Sequence, residues 1–157
     1  MSAGAEVVNR DLSLLAPKFR AAIEVALVEC SAAGFDAFVF EGYRTQALQA
    51  IYYARGRTVK PPEKPVTNAP TNLLSWHGYG LAVDVISKAH FWDVPRDWYP
   101  SVAAIFKQHG CAWGGEWKSP DYPHFQWGRC KPSPSTVARD LIRAEGMQAV
   151  WRVVEAV

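Results

Sequence analysis

The stretch Ser75-Trp76-His77-Gly78-Tyr79-Gly80-Leu81-Ala82-Val83-Asp84-Val85 constrains this chain more than any other. Its second half alternates like a half-buried strand, yet it carries a carboxylate inside an apolar run. Leu81, Val83 and Val85 face one way. Gly80, Ala82 and Asp84 face the other, and two of those three are very small. One face therefore packs a core while the other leaves room around Asp84. A buried carboxylate without a partner is costly, so the fold must bring a partner to it.

The elements around this strand mix helices and short strands. Residues 16–33 place Phe19, Ile23, Ala26, Leu27 and Cys30 on one helical stripe, with Pro17 in the first turn and Gly34 as the stop. Residues 35–40 read as a strand, 45–56 as a helix closed by Gly56, 80–85 as the strand above, 99–110 as a helix closed by Gly110, and 124–127 as a strand. Residues 57–72, rich in Pro and polar side chains, form a loop long enough to suggest a functional one. Residues 134–156 predict a C-terminal helix interrupted or capped near Gly146, with Leu141, Val150, Trp151 and Val154 available to pack on the domain. No regular βαβ repeat appears, so the class is α+β. We expect one domain over residues 1–157.

Composition removes several functions. A net charge of +2 without a Lys/Arg run gives no nucleic-acid footprint. No stretch is long and apolar enough for a membrane span. Three cysteines, Cys30, Cys111 and Cys130, without CxxC spacing argue against a disulfide framework and for synthesis in a reducing compartment. The first residues show no basic segment followed by an apolar one, so no signal peptide is expected. Seven tryptophans, five of them between positions 76 and 117, imply either an aromatic core or a cleft wall that stacks on a ligand.

Two imidazoles and one carboxylate, from His77, Asp84 and His124, suit a catalytic zinc site with three protein ligands and one open position. Asp121, three residues before His124, is close enough to take a proton from water at such a site. Glu116 is the competing base. Spacing alone leaves a satisfied core histidine as the alternative for each imidazole, and His90 and His109 read as structural. Gly78 and Gly80 permit a sharp turn that aims His77 and Asp84 at one point. Pro123 bends the strand alternation that would otherwise part Asp121 from His124.

The segment 75–84 fits SxHxxGxAxD at every fixed position. Trp113-Gly114-Gly115-Glu116-Trp117, Asp121-Tyr122-Pro123-His124-Phe125, Glu41-Gly42-Tyr43-Arg44-Thr45, Gly56-Arg57-Thr58 and Val66-Thr67-Asn68-Ala69 complete a set of motifs. Together they resemble the zinc peptidases of bacterial cell-wall peptides. These are the L-alanyl-D-glutamate endopeptidases of phage endolysins and the related D-alanyl-D-alanine carboxypeptidases, in the hedgehog-like metallopeptidase group. The resemblance runs from about residue 10 to 128 and implies a small antiparallel sheet with flanking helices, a zinc site in a cleft on the sheet, and no separate cell-wall-binding domain.

It further implies that His77, Asp84 and His124 bind Zn2+ and that Asp121 is the general base. Arg44 would stabilise the oxyanion or hold a substrate carboxylate, and Ser75 would contact substrate or a ligand. The expected substrate is a peptidoglycan stem peptide cut at its L-Ala–D-Glu bond. The alternatives are a D-Ala-D-Ala carboxypeptidase and a non-catalytic peptidoglycan-binding module with a structural metal. A monomer is expected, made without a signal peptide in a host cytoplasm and reaching the wall through a holin pore.

Overall fold

The computed structural model describes residues 8–59 and 65–155. The expected loop at 57–72 therefore crosses residues 60–64 outside the described set. The same holds for the first seven residues, part of the stretch in which no signal peptide is expected, and for residue 156 of the expected C-terminal helix.

Helix α1 runs over Pro17–Ala32 with Pro17 in its first turn. It buries Phe19, Ile23, Ala26 and Cys30, while Leu27 is only partly covered. Strand β1 is Ala37–Glu41. Helix α2 is Gln46–Ala54, started by Thr45, whose side chain accepts the Leu48 N–H at 3.2 Å. Strand β2 is Ala82–Ser87, α3 is Trp98–Gln108, β3 is Cys111–Trp113 and β4 is His124–Trp127. Helices α4 (Thr136–Glu145) and α5 (Met147–Glu155) follow, parted at Gly146.

The strands form one antiparallel sheet in the order β1-β2-β4-β3. The expected α+β class and small antiparallel sheet are therefore observed. Alternation sends Val83, Val85 and Phe125 to the face covered by α1 and α3, where the Phe106 and Phe125 rings lie 4.5 Å apart. Each large apolar side chain buried there contributes about 1.5–3 kcal/mol relative to exposure. The opposite face carries Asp84 and His124, which pair directly across β2 and β4.

Two strand limits differ from the sequence reading. Gly80, at φ +68, closes a 3-10 turn over Trp76–Tyr79, so β2 starts only at Ala82. It then continues to Ser87 because Ser87 pairs with Ala37 of β1. Strand β1 likewise starts two residues later than expected and ends in a bulge: Val39 pairs with Val85, and the next pair is Glu41 with Asp84. The extra residue, Phe40, shifts Glu41 onto the face of Asp84.

The C-terminal helices pack as expected: Val150 is buried, and Leu141, Trp151 and Val154 are partly buried against the core. Trp151 Nε1 donates to the Tyr79 carbonyl at 2.6 Å, and Trp127 Nε1 donates to that of Val154 at 2.9 Å. Glu155 accepts the N–H groups of Lys18 and Phe19 at 3.0 and 3.2 Å, satisfying open donors in the first turn of α1. The tryptophans divide between two places: Trp76 and Trp98 are core, while Trp92 and Trp117 line a cleft. All three cysteines are free and buried, and burial raises the pKa of Cys30 to about 11 and those of Cys111 and Cys130 to about 12.

Candidate metal centre

The polar face of the sheet floors a cleft of about 980 Å³. His77 reaches it from the 3-10 turn Trp76–Tyr79, which Ser75 caps by accepting the His77 N–H at 3.3 Å. Gly78 is what lets this turn close. A Cβ there would stand 2.0 Å from the Asn72 carbonyl oxygen and 2.7 Å from its carbon, both backbone atoms. Asp84 comes from the middle of β2, and His124 from the first position of β4. Asp121 enters through the turn before β4, which is closed by the His124 N–H on the Asp121 carbonyl at 3.2 Å. That turn contains Pro123 and draws Asp121 and His124 to one side, as the sequence required.

One donor atom from each of His77, Asp84 and His124 lies within 4.8 Å of the others. His77 Nε2 is 3.4 Å from Asp84 Oδ1, and His124 Nδ1 is 4.0 Å from the same oxygen. Donors about 2 Å from a tetrahedral ion would be roughly 3.4 Å apart, so two imidazoles and a carboxylate at these separations fit zinc. The far nitrogen of each ring is also fixed. His77 Nδ1 donates to the Gly42 carbonyl at 2.8 Å, and His124 Nε2 to Gln126 Oε1 at 2.8 Å. The Gln126 amide is set in turn by its Nε2 donating to the Lys131 carbonyl at 2.9 Å. These bonds fix the orientation of each ring and leave its other nitrogen on the side of Asp84.

Charge is arranged to the same end. Burial works against ionised Asp84, but His77, Arg44 and His124 around it prevail and hold its pKa well below the usual carboxylate range. Burial and the neighbouring His77 push His124 down to about 4, which keeps its imidazole neutral and able to ligate. Burial and the Asp84 charge raise Asp121 to about 6. Half of the Asp121 side chain is open to solvent, so the Asp84 charge is the more durable of those two causes. Its Oδ2 stands 4.0 Å from His124 Nδ1, at the rim of the cluster.

Arg44 lines the cleft but is not free within it. Nε donates to Glu41 Oε1 at 2.7 Å, Nη2 binds the same oxygen, and Nη1 donates to Gln49 Oε1 at 2.9 Å. Nη2 also lies 3.5 Å from Asp84 Oδ2. Arg44 thus separates two carboxylates, Glu41 and Asp84, that the β1 bulge sets opposite one another. Glu116 points elsewhere, bound to Lys107 at 2.8 Å, and does not line the cleft. His109 pairs with Glu29 at 2.8 Å, as a structural residue would. Sequence reasoning missed Glu41, Gln126 and the Gly42 carbonyl. Only the EGYRT motif pointed near the first and last, and Gln126 carried no signal beyond its place two residues after His124.

Residues 68–127 match the family model described as D-alanyl-D-alanine carboxypeptidase. The peptidoglycan L-alanyl-D-glutamate endopeptidase CwlK of Bacillus subtilis is 36% identical over 106 residues, 59% of this chain and 61% of that protein. The chain thus spans somewhat under two thirds of that relative's length. The solved L-Ala D-Glu endopeptidase ChiX of Serratia marcescens superposes with a TM-score of 0.57 at 25% identity, over 80% of this chain and 93% of that one. The LD-carboxypeptidase LdcB shares the fold, with a TM-score of 0.57 at 13% identity over 87% of this chain and 67% of its own. The resemblance to the D-alanyl-D-alanine carboxypeptidase and hedgehog-like metallopeptidase group, read from the motifs, is borne out in both sequence and fold.

Proposed function

We propose that this chain is a zinc peptidase that hydrolyses the L-Ala–D-Glu bond of peptidoglycan stem peptides. The observation that carries the reading is the His77–Asp84–His124 cluster on the floor of the cleft, with Asp121 at its rim. The two endopeptidases above support the choice of bond. A zinc ion held by these three residues would polarise the scissile carbonyl and make a neighbouring water more acidic.

The chain's own residues do the rest. Asp121 accepts a proton from the attacking water at Oδ2 and returns it to the amine nitrogen as the C–N bond breaks. A carboxylate at the rim of the cluster is placed both to take a proton from water and to give it up again. Gly42 and Gln126 keep the two rings aimed. Arg44 keeps Asp84 ionised and adds positive charge beside the reacting carbonyl. Ser75 holds the turn that carries His77 and, where it lines the cleft, meets the substrate. Working as a phage lysin that reaches the wall through a holin pore belongs to the same proposal, supported by the GYRT, GRT and VTNA segments.

Mass spectrometry of purified stem peptides digested with zinc, and in parallel with a chelator, tests the reading. Release of a peptide beginning at D-Glu, only with zinc and not by Asp121→Ala, is the expected outcome. Loss of a terminal D-Ala instead would support the carboxypeptidase reading, which the description of the matched family favours. No product despite bound zinc would leave a wall-binding module.

A further inference from the structure

Two guanidinium groups line the cleft, Arg44 and Arg55. The nitrogens of Arg44 are already engaged by Glu41, Gln49 and Asp84. Glu41 is itself buried, so turning Arg44 toward a ligand would strand a buried carboxylate. Arg57, in the neighbouring GRT motif, is also occupied: Nη1 donates to the carbonyls of Tyr53 and Thr67 at 2.8 and 3.0 Å.

Arg55 differs from both. It sits at the C-terminal cap of α2, exposed, with its guanidinium 5.2 Å from the centroid of the Tyr52 ring. The Tyr52 hydroxyl donates to Glu41 Oε2 at 3.0 Å, so the ring under Arg55 is anchored to the buried network. Among the described residues no carboxylate pairs with Arg55. The guanidinium lies over this ring on an exposed side chain, and a planar guanidinium edge matches a carboxylate in a two-point contact.

We infer that Arg55 is the carboxylate-binding group of this cleft and sets its preference for an acidic residue beside the scissile bond. On the function proposed above, that ligand is the α-carboxylate of the D-glutamyl residue. Its side chain carries the peptide onward, so its α-carboxylate remains free next to the nitrogen of the bond to be cut.

The experiment uses two synthetic peptides, L-Ala-γ-D-Glu-diamino acid with a free α-carboxylate and the same peptide with an α-amide. Binding to the Asp121→Asn chain, which does not turn them over, is compared with binding to the same chain carrying Arg55→Gln. The free acid should bind Asp121→Asn about tenfold more tightly than the amide does, and Arg55→Gln should remove that difference while leaving amide binding unchanged. Arg55→Lys should restore only part of it. In the otherwise native chain, Arg55→Gln should raise KM for the acid about tenfold with kcat nearly constant. An unaltered thermal midpoint confirms that the variant is folded. Equal loss for acid and amide, or no loss for either, would overturn the inference. Binding that follows this pattern without any cleavage by the native chain would uphold the carboxylate site and reject the proposed reaction instead.

Discussion

His77 and Trp92 stand on the same cleft and are held in different ways. His77 is 2% exposed, its ring is bonded to the Gly42 carbonyl, and its turn is closed against the Asn72 backbone at Gly78. Trp92 is half exposed and meets Phe40 edge to face at 4.9 Å, just after Phe91 at φ +54. The metal corner is held from behind by backbone and buried polar groups, so its donor atoms have little freedom to drift. Trp92 leans on the Phe40 ring and is otherwise half open to solvent, so it can yield to whatever it meets. Chemistry needs its atoms fixed to fractions of an ångström, whereas the wall only has to offer surface.

Three substitutions would break or sharpen this contrast. Gly78→Ala should have the largest effect. Its methyl group collides with backbone atoms that cannot step aside, so we expect a loss of about 3 kcal/mol in urea unfolding together with weakened zinc binding. An unchanged midpoint would mean that the turn is not tight. Gln126→Leu should be intermediate: zinc affinity falls about 10- to 100-fold in a metal titration as the His124 ring loses its anchor, while the fold survives. Undiminished affinity would show that the strand alone orients His124. Trp92→Ala should be smallest, with stability within about 0.5 kcal/mol of the parent, the same zinc affinity, and KM for wall fragments raised about two- to tenfold. If Trp92→Ala weakened zinc binding as much as Gln126→Leu, the two walls would not be independent.

The same division explains what could be read from the sequence. Local chemistry singled out His77, Asp84, His124 and Asp121 as candidates, through a carboxylate in an apolar strand, small residues beside it and a proline turn before the second histidine, while their roles came from the motif resemblance. The helices followed from apolar spacing and their closing glycines. The bulge at Phe40 left no such mark, since it exists only where β1 meets β2, and it decides on which face Glu41 lies. The Glu41–Arg44 pairing therefore came only with the fold, and with it the finding that Arg44 is bound internally. Gln126 looks like any polar residue of a short strand until His124 is seen leaning on it. Strand β3, three residues long, is too short to show a period.

The three buried thiols have a consequence of their own. Cys30, Cys111 and Cys130 are each at most 8% exposed, and their pKa values of about 11 and 12 leave almost no thiolate near neutrality. Thiol–disulfide exchange proceeds through the thiolate, so the folded protein is nearly inert to it. The fold is closed by Trp151, Trp127 and Glu155 rather than by covalent cross-links, and none of those bonds depends on a redox couple. Forming a disulfide at any of these three positions would first require the buried thiol to be exposed.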